Sequence, residues 1–245
     1  MRAHYLTPFL LALVFGCSTK ADTPVKDGAK PVGGQVTTDV NDLDKPVELP
    51  DAVKTDAFEY YGLANPQSMD VELKAPDQPV RTGGVSVKFE KAEGGKATFK
   101  VTRTGAVQEV LGDNDGYADA TGVYMTGTSI GKITPDKFLA LPADLTPGKT
   151  WTMKNKIEAT SGQTIEEDST YRVEGERDVK TKSGTQKALL VTSTGTATVT
   201  QGGTTRKDKY ETKSWYVKGV GPVRFEIILT EPGKAPKTIV VTQDK

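Results

Sequence analysis

The amino-acid sequence predicts an all-β, mainly antiparallel domain with little helix, built as a single curved meander sheet that forms a half-barrel or a sandwich. Short runs along the chain alternate apolar and polar residues, which places one face of a strand on a core and the other in water. Gly-rich breaks that are typical of turns separate these runs. Thr and Val dominate the runs, and both residues suit strand faces.

The chain begins with a segment that is typical of an export signal. Arg2 is the only Lys or Arg before an apolar run at residues 6–15, and no acidic residue precedes that run. About ten apolar residues are too few to cross a bilayer core of about 30 Å as a helix. They match the apolar region of a secretory signal peptide, and Val14-Phe15-Gly16-Cys17 follows them directly.

This tetrapeptide resembles the lipobox of bacterial lipoproteins. The resemblance implies a signal peptide at residues 1–16, cleavage before Cys17 and lipidation of the Cys17 thiol, so that the membrane is a partner through the N-terminal lipid. Plain secretion is the alternative. Ser18 follows the Cys, which by the same resemblance implies an outer-membrane anchor facing the periplasm or the cell surface, if the cell has two membranes.

Residues 17–57 are predicted to be the lipidated Cys and a flexible tether. Pro, Asp, Lys, Thr and Gly are frequent there, and the few apolar residues are isolated, so little surface can be buried to offset the entropy of ordering. The alternative is that part of this segment adds an edge strand to the domain.

Residues 58–245 are predicted to form one antiparallel β-domain of about twelve strands. The alternating runs occur at Met69-Val71-Leu73, Val85-Val87-Phe89, Phe99-Val101, Val123-Met125, Trp151-Met153, Tyr171-Val173, Leu190, Trp215-Val217, Val223-Phe225-Ile227-Leu229 and Ile239-Val240-Val241. The one helical turn expected is at Thr134-Pro135-Asp136-Lys137, where Thr would cap and Pro would take the first helical position. The segment from Leu63 to Val71 aligns with that from Leu145 to Met153, which suggests two quasi-repeats.

Two further segments carry a family resemblance. Residues 138–151 read FLALPADLTPGKTW and residues 215–226 read WYVKGVGPVRFE. They resemble the "LP..L..G..W" and "WY..GVG.V..E" motifs of uncharacterised bacterial envelope lipoproteins, which are similar in shape to the periplasmic lipoprotein carriers. The resemblance implies a curved sheet with an apolar concave face.

The scarcity of His and Cys excludes several functions. The chain has one His, His4, and one Cys, Cys17, so a mature chain that starts at residue 17 contains no histidine. A Ser-His-Asp nucleophile and histidine-based metal sites are then excluded. The net charge of zero argues against a nucleic-acid partner. We therefore expect no enzyme activity and no cofactor.

Clustered acidic residues keep one enzymatic alternative open, a carboxylate-based hydrolase. They are Glu166, Glu167, Asp168, Glu174, Glu176 and Asp178. On alternating strands such residues usually form a solvated face, and nearby Lys and Arg side chains can balance their charge.

One short segment resembles the beginning of a calcium loop. Asp113, Asp115 and Asp119 alternate around Asn114 and Gly116, and oxygen ligands so spaced can wrap Ca²⁺. The bidentate Glu expected later in such a loop is missing, and a polar hairpin turn explains the same residues.

Large side chains on the alternating face are the candidate ligand contacts. They are Met69, Phe89, Tyr124, Trp151 and Trp215. Core packing is the alternative for both Trp residues. Because aromatic residues make up only 7% of the chain and strand residues are mostly small, a curled sheet would fill poorly and leave a groove. The favoured function is a lipid-anchored envelope protein that binds an apolar or amphipathic ligand, and the alternative is a scaffolding lipoprotein with a protein partner in the envelope.

Overall fold

The computed structural model describes residues 49–66 and 68–244, which form one antiparallel sheet with short helical segments. The lipobox, Cys17 and most of the predicted tether lie outside the described residues. The strands are β1 (Ser68–Lys74), β2 (Arg81–Glu93), β3 (Lys96–Thr104), β4 (Asn114–Asp119), β5 (Gly122–Thr128), β6 (Gly131–Thr134), β7 (Phe138–Pro142), β8 (Thr150–Ala159), β9 (Thr164–Thr181), β10 (Gly184–Gln201), β11 (Thr204–Val217), β12 (Gly221–Thr230) and β13 (Lys237–Asp244).

The sheet closes on itself. Its order is β4-β3-β2-β1-β13-β12-β11-β10-β9-β8-β6-β5, and β5 pairs back with β4, which makes a barrel of 12 strands. The strand β7 pairs with β5 beside this ring. The predicted all-β antiparallel class is confirmed, and the closed barrel is more specific than the predicted curved sheet, half-barrel or sandwich. The ladder between β1 and β13 joins the two ends of the domain, for example Leu73 to Val241.

Tight turns connect most neighbouring strands, as the Gly-rich breaks predicted. Gly94 and Gly95 join β2 to β3, and Gly202 and Gly203 join β10 to β11. All four have positive φ, between 54° and 79°. Two consecutive residues of positive φ make the type I′ turn whose twist matches that of antiparallel strands, and glycine adopts this conformation without a steric cost.

The described residues contain two short helices and one 3-10 turn, none of them at the expected position. The 3-10 turn is Asp51–Val53, and the helices are α1 (Asp56–Tyr60) and α2 (Gly105–Leu111). The predicted helical turn at Thr134 is wrong, because Thr134 ends β6 and pairs with Lys156 of β8. No helix among the described residues is both long and apolar enough to cross a membrane.

The N-terminal segment lies across the barrel interior. The Tyr61 ring, just after α1, contacts the rings of Phe99 on β3 and Tyr216 on β11, with centroids 6.0 and 6.5 Å away. Its hydroxyl lies 3.4 Å from the Met125 sulfur on β5. The strands β3 and β5 lie on one side of the ring, separated by β4, and β11 lies five strands away from each of them. Tyr61 therefore spans the lumen from one side of the ring to the other.

This segment includes residues that the sequence assigned to the tether. Val53 and Ala57 are both 0% exposed and belong to the main core, together with Phe58, Leu63 and the inward-facing residues of most strands. The predicted boundary at residue 57 therefore falls inside a packed segment. A smaller core cluster, Ile133, Ile157, Ile165 and Val199, lies on β6, β8, β9 and β10.

Removal of this packed segment should destabilise the domain. A chain of residues 58–245 is expected to lose about 2–4 kcal/mol of unfolding free energy relative to one of residues 49–245, because it lacks the buried Val53 and Ala57. Urea unfolding followed by circular dichroism measures the difference. Equal midpoints and slopes for the two chains would contradict this role and support the predicted tether boundary at residue 57.

Candidate functional site

A partly enclosed cavity of about 220 Å³ lies inside the barrel. Tyr61 of the N-terminal segment borders it, and so do Ile133 and Ile157 of the smaller core cluster. The cavity therefore occupies the space that neither the N-terminal segment nor the strand side chains fill.

The two sides of the cavity differ in chemistry. We call the first the polar wall; it consists of Asn155 on β8, Glu167 and Tyr171 on β9, and Tyr210, Thr212, Ser214 and Tyr216 on β11. We call the second the apolar wall; it consists of Met125, Ile130, Ile133, Phe138, Leu139 and Ala140 from β5 to β7, with Phe225 and Ile227 on β12. Such a cavity can hold a molecule that has one polar and one apolar end.

Glu167 is the carboxyl group of the polar wall, and it is only 8% exposed. Tyr210 donates a hydrogen bond to its Oε1 atom. Burial raises the pKa of Glu167 to about 7, while hydrogen bonds from Tyr210 and Asn155 limit the rise. Burial and the nearby Glu167 charge also raise the pKa values of Tyr210 and Tyr171, so both phenols stay neutral.

The contact between Tyr210 and Glu167 depends on a glycine between them. Gly195 of β10 pairs with Tyr210 in the β10–β11 ladder. A Cβ atom at residue 195 would lie 2.8 Å from Cζ of the Tyr210 ring and 2.7 Å from the Asp168 carbonyl oxygen. Because residue 195 has no side chain, the ring can lie over β10 and reach the carboxyl group on β9.

The boundary between β7 and β8 lies beside this cavity, since Leu139 of β7 lines it. The strand β7 forms a ladder with β5, and β8 forms ladders with β6 and β9, but no ladder joins β7 to β8 among the described residues. Instead, the Trp151 indole Nε1 donates to the Leu139 carbonyl oxygen at 3.3 Å. The Trp151 ring also stacks on Tyr171 of the polar wall, with centroids 5.2 Å apart.

None of the five residues predicted as ligand contacts lines this cavity. Trp151 comes closest, through its stack on Tyr171. Met69 lines a separate cavity of about 50 Å³ beside Tyr61. Phe89 stacks on Phe58, and Tyr124 stacks on Tyr117.

Trp215 lies in a third apolar cluster, away from the cavity. It packs against Val179, Ala188 and Val223, and the Arg224 guanidinium lies 5.7 Å from its ring centroid. A register shift between Trp215 and Tyr216 interrupts the alternation of β11 at this point. The assignment of these five residues to ligand contact stays a prediction.

The three Asp residues of the predicted calcium loop have different neighbours. Asp113 Oδ1 accepts the Arg103 backbone N–H, and Asp119 Oδ1 accepts the Thr121 backbone N–H, both at 2.8 Å. Asp115 lies 3.9 Å from the Lys100 ammonium. Within the part of the chain that the structure describes, no three His, Cys, Asp or Glu residues are grouped as metal ligands. Calcium binding stays a prediction.

The acidic run on β9 is divided between the two faces of the strand. Glu166 and Asp168 are exposed, and Asp168 pairs with the Lys154 ammonium at 2.9 Å. Glu167 is buried between them, so the interpretation of the run as a solvated face is wrong for this one residue. The alternation of β9 predicts the burial of Glu167, because this residue shares a strand face with Ile165, Ser169 and Val173.

Comparisons with known proteins find similar folds among solved structures. No protein-family model and no curated protein match the chain. A candidate lipoprotein from Parabacteroides distasonis ATCC 8503 superposes with a TM-score of 0.51 over 73% of this chain and 93% of its own, at 12% identity. A candidate exported protein with a YmcC-like fold from Bacteroides fragilis gives 0.48 over 73% and 95%, at 14% identity.

At 12% identity, the first of these similarities shows a shared fold and nothing about the cavity residues. The chain has the fold of the Parabacteroides distasonis protein. The cavity and its buried carboxyl group are observations on this chain alone.

Glu167 should impose a pH dependence on stability that Glu167→Gln removes. Its pKa is raised from 4.5 to about 7 on folding, so the folded state binds this proton more tightly than the unfolded chain. The stabilising contribution is therefore complete below the unfolded pKa and is lost as the pH rises through the folded pKa. From about pH 5 to about pH 8, Glu167→Gln should gain about 2–3 kcal/mol relative to wild type.

Urea unfolding of both proteins across this pH range measures that gain. Glu166→Gln is the matched control, since it makes the same change on the exposed face of the same strand and should follow the wild-type curve. Parallel curves for wild type and Glu167→Gln would show that Glu167 titrates normally.

Proposed function

We propose that this chain is a non-catalytic, lipid-anchored protein of the cell envelope that binds a small amphipathic molecule inside its barrel. The single observation that carries the proposal is the cavity of about 220 Å³ between a polar and an apolar wall. A cavity of about 150 Å³ is enough to bind benzene in an engineered protein. Sites for drug-sized ligands reach about 300–1,000 Å³, so the ligand proposed here is small.

The arrangement of the barrel wall supports the same proposal. The boundary between β7 and β8 lies beside the cavity, and no backbone ladder crosses it among the described residues. Trp151 bridges this boundary by a side-chain hydrogen bond to Leu139. One such bond contributes about 0.5–1.5 kcal/mol, so it can open far more readily than a full ladder.

The anchor is proposed from the N-terminal sequence and is compatible with the fold shared with a candidate lipoprotein. Val14-Phe15-Gly16-Cys17 follows a short apolar run, as in a lipoprotein signal. The proposed site of the protein is the outer membrane, with the barrel facing the periplasm or the cell surface.

The Cys17→Ser variant tests the anchor. It should appear in the soluble fraction or remain as an uncut precursor, because a serine hydroxyl cannot replace the thiol that carries the lipid, whereas wild type should sediment with membranes. Fractionation and the intact mass of the purified chain measure the two outcomes. A variant with the wild-type mass increment and an unchanged membrane fraction would rule out lipidation at Cys17.

Ligand binding can be followed through Trp151 in a Trp215→Phe variant, which leaves one Trp beside the cavity. The probes are hexanol, hexylamine and hexanoic acid, which share an apolar tail and differ in the head group. At least one should bind one-to-one with a Kd of about 0.1–10 mM and change the Trp151 fluorescence saturably.

A cavity-filling variant provides the control. Ser214→Leu in the polar wall should abolish the response by occupying the cavity, while Thr194→Leu on the exposed face of β10 should leave it unchanged. If no probe gives a saturable response, the ligand proposal fails and a protein partner in the envelope becomes the better explanation.

A further inference from the structure

Two hydrogen-bond acceptors of the polar wall lie opposite each other on neighbouring strands. Asn155 of β8 is paired with Glu167 of β9 in the ladder, and each residue is 8% exposed. The Asn155 amide nitrogen lies 3.7 Å from the Met153 sulfur. Its Oδ1 atom is buried and has no hydrogen-bond partner among the described residues.

An unpaired buried acceptor is unusual and costs free energy, about 1–3 kcal/mol for a neutral group. Asn155 and Glu167 both line the cavity. The Asn155 Oδ1 atom itself is buried, so the amide group has to rotate toward the cavity to accept from a ligand. The acceptor capacity of this pair therefore points to a ligand that donates hydrogen bonds.

Three hydrogen-bond donors that line the cavity, from Tyr210, Arg103 and Tyr61, already have acceptors in the protein. Tyr210 donates to Glu167. The Arg103 Nη1 atom lies 2.6 Å from the Gly112 carbonyl oxygen and 2.7 Å from Asn114 Oδ1. The Tyr61 hydroxyl lies 3.4 Å from the Met125 sulfur. An anionic head group would have to compete for these three donors and would also face the Glu167 charge.

We propose that the cavity binds a small amphipathic amine, with its ammonium group between Glu167 and Asn155 and its hydrocarbon tail on the apolar wall. This inference rests on the proposed function, because it requires that the cavity binds a ligand at all. The ammonium group donates to the Glu167 carboxylate and to Asn155 Oδ1.

The charged and titratable groups around Glu167 determine the expected pH dependence. Tyr210 on β11 and Tyr171 on β9 are neutral phenols, and β10 contributes Ala197, which does not titrate. On β11, Asp208 is the ladder partner of Ala197, and its carboxylate forms an ion pair with Arg206 at 2.7 Å.

Three more titratable groups, Tyr61, Arg103 and Tyr216, line the same cavity. Glu167 is thus the acidic group of the cavity lining that changes charge near neutral pH. An ammonium ligand binds its deprotonated form, so affinity should rise with pH and level off above about pH 7.

The test uses hexylamine, hexanol and hexanoic acid on the full mature chain, with affinities from calorimetry between about pH 5.5 and about pH 8.5, where the amine stays protonated. Hexylammonium should bind most tightly of the three at the upper pH. Its affinity should fall at least about tenfold at the lower pH, as Glu167 becomes protonated. Hexanol affinity should stay level.

Variants assign the effect to the two residues. Glu167→Gln should weaken hexylammonium binding about 10- to 100-fold and remove its pH dependence, while hexanol binding changes less than about threefold. Asn155→Leu, which removes the unpaired oxygen, should weaken hexylammonium binding about 3- to 10-fold. Glu166→Gln on the opposite face of β9 is the matched control and should bind as wild type does.

The outcomes separate this inference from the proposed function. If hexanol or hexanoic acid binds as tightly as hexylammonium, or if Glu167→Gln keeps the wild-type affinity and pH profile for the amine, the head-group inference is overturned while the cavity remains a binding site. If none of the three probes binds, the proposed function itself fails. Because the pH profile is measured on the wild-type chain, the test holds even if a variant does not fold.

Discussion

Closure of the sheet is the constraint from which the other features of this protein follow. A ring of about eight strands has an interior that side chains alone can fill, and the diameter grows with the number of strands. Twelve strands enclose more space than that. The surplus has to be occupied by another part of the chain or remain as a cavity, and this protein does both.

The N-terminal segment occupies one part of the surplus, with Val53, Ala57 and Phe58 in the main core and Tyr61 across the lumen. The cavity remains beside this segment, with Tyr61 on its border. The inward positions in the middle of β10 are Ser193, Gly195 and Ala197, flanked by the larger Val191 and Val199. Because Gly195 has no side chain, the Tyr210 ring fits over β10. The Tyr210 hydroxyl then donates a hydrogen bond to the buried Glu167 carboxyl group on β9.

Much of the strand pattern could be predicted from the sequence, because alternation and turn chemistry are local. Val71 and Leu73 alternate with polar residues and are buried, as expected, and the Gly94-Gly95 and Gly202-Gly203 pairs form turns where they were predicted. The failures have physical causes. Thr134-Pro135 has the residue types of a helix start, but pairing with β8 outweighs that weak preference.

The candidate site was harder to predict. Large apolar side chains are a reasonable guide to a ligand cleft, yet here most of them pack on one another, as Phe89 does on Phe58 and Tyr124 on Tyr117. Glu167 was visible as part of an acidic run. Its burial follows from the alternation along β9, since it shares a strand face with Ile165 and Val173. The charges of the adjacent residues instead favoured the interpretation that Glu167 is exposed.

The sequence by itself determined the all-β antiparallel class, the position of several turns and the small size of the side chains in the strands, because each depends on residues close together in the chain. Tertiary structure alone decided whether the sheet closes, since the ladder between β1 and β13 joins segments about 170 residues apart, and no local pattern encodes that pairing. Closure in turn decides that the N-terminal segment is packed inside and that Asn155, Glu167 and Tyr210 share one cavity with an apolar wall from β5 to β7 and β12. The chemistry of the cavity therefore depends on closure of the ring, because only the closed ring brings the lining residues of these strands together.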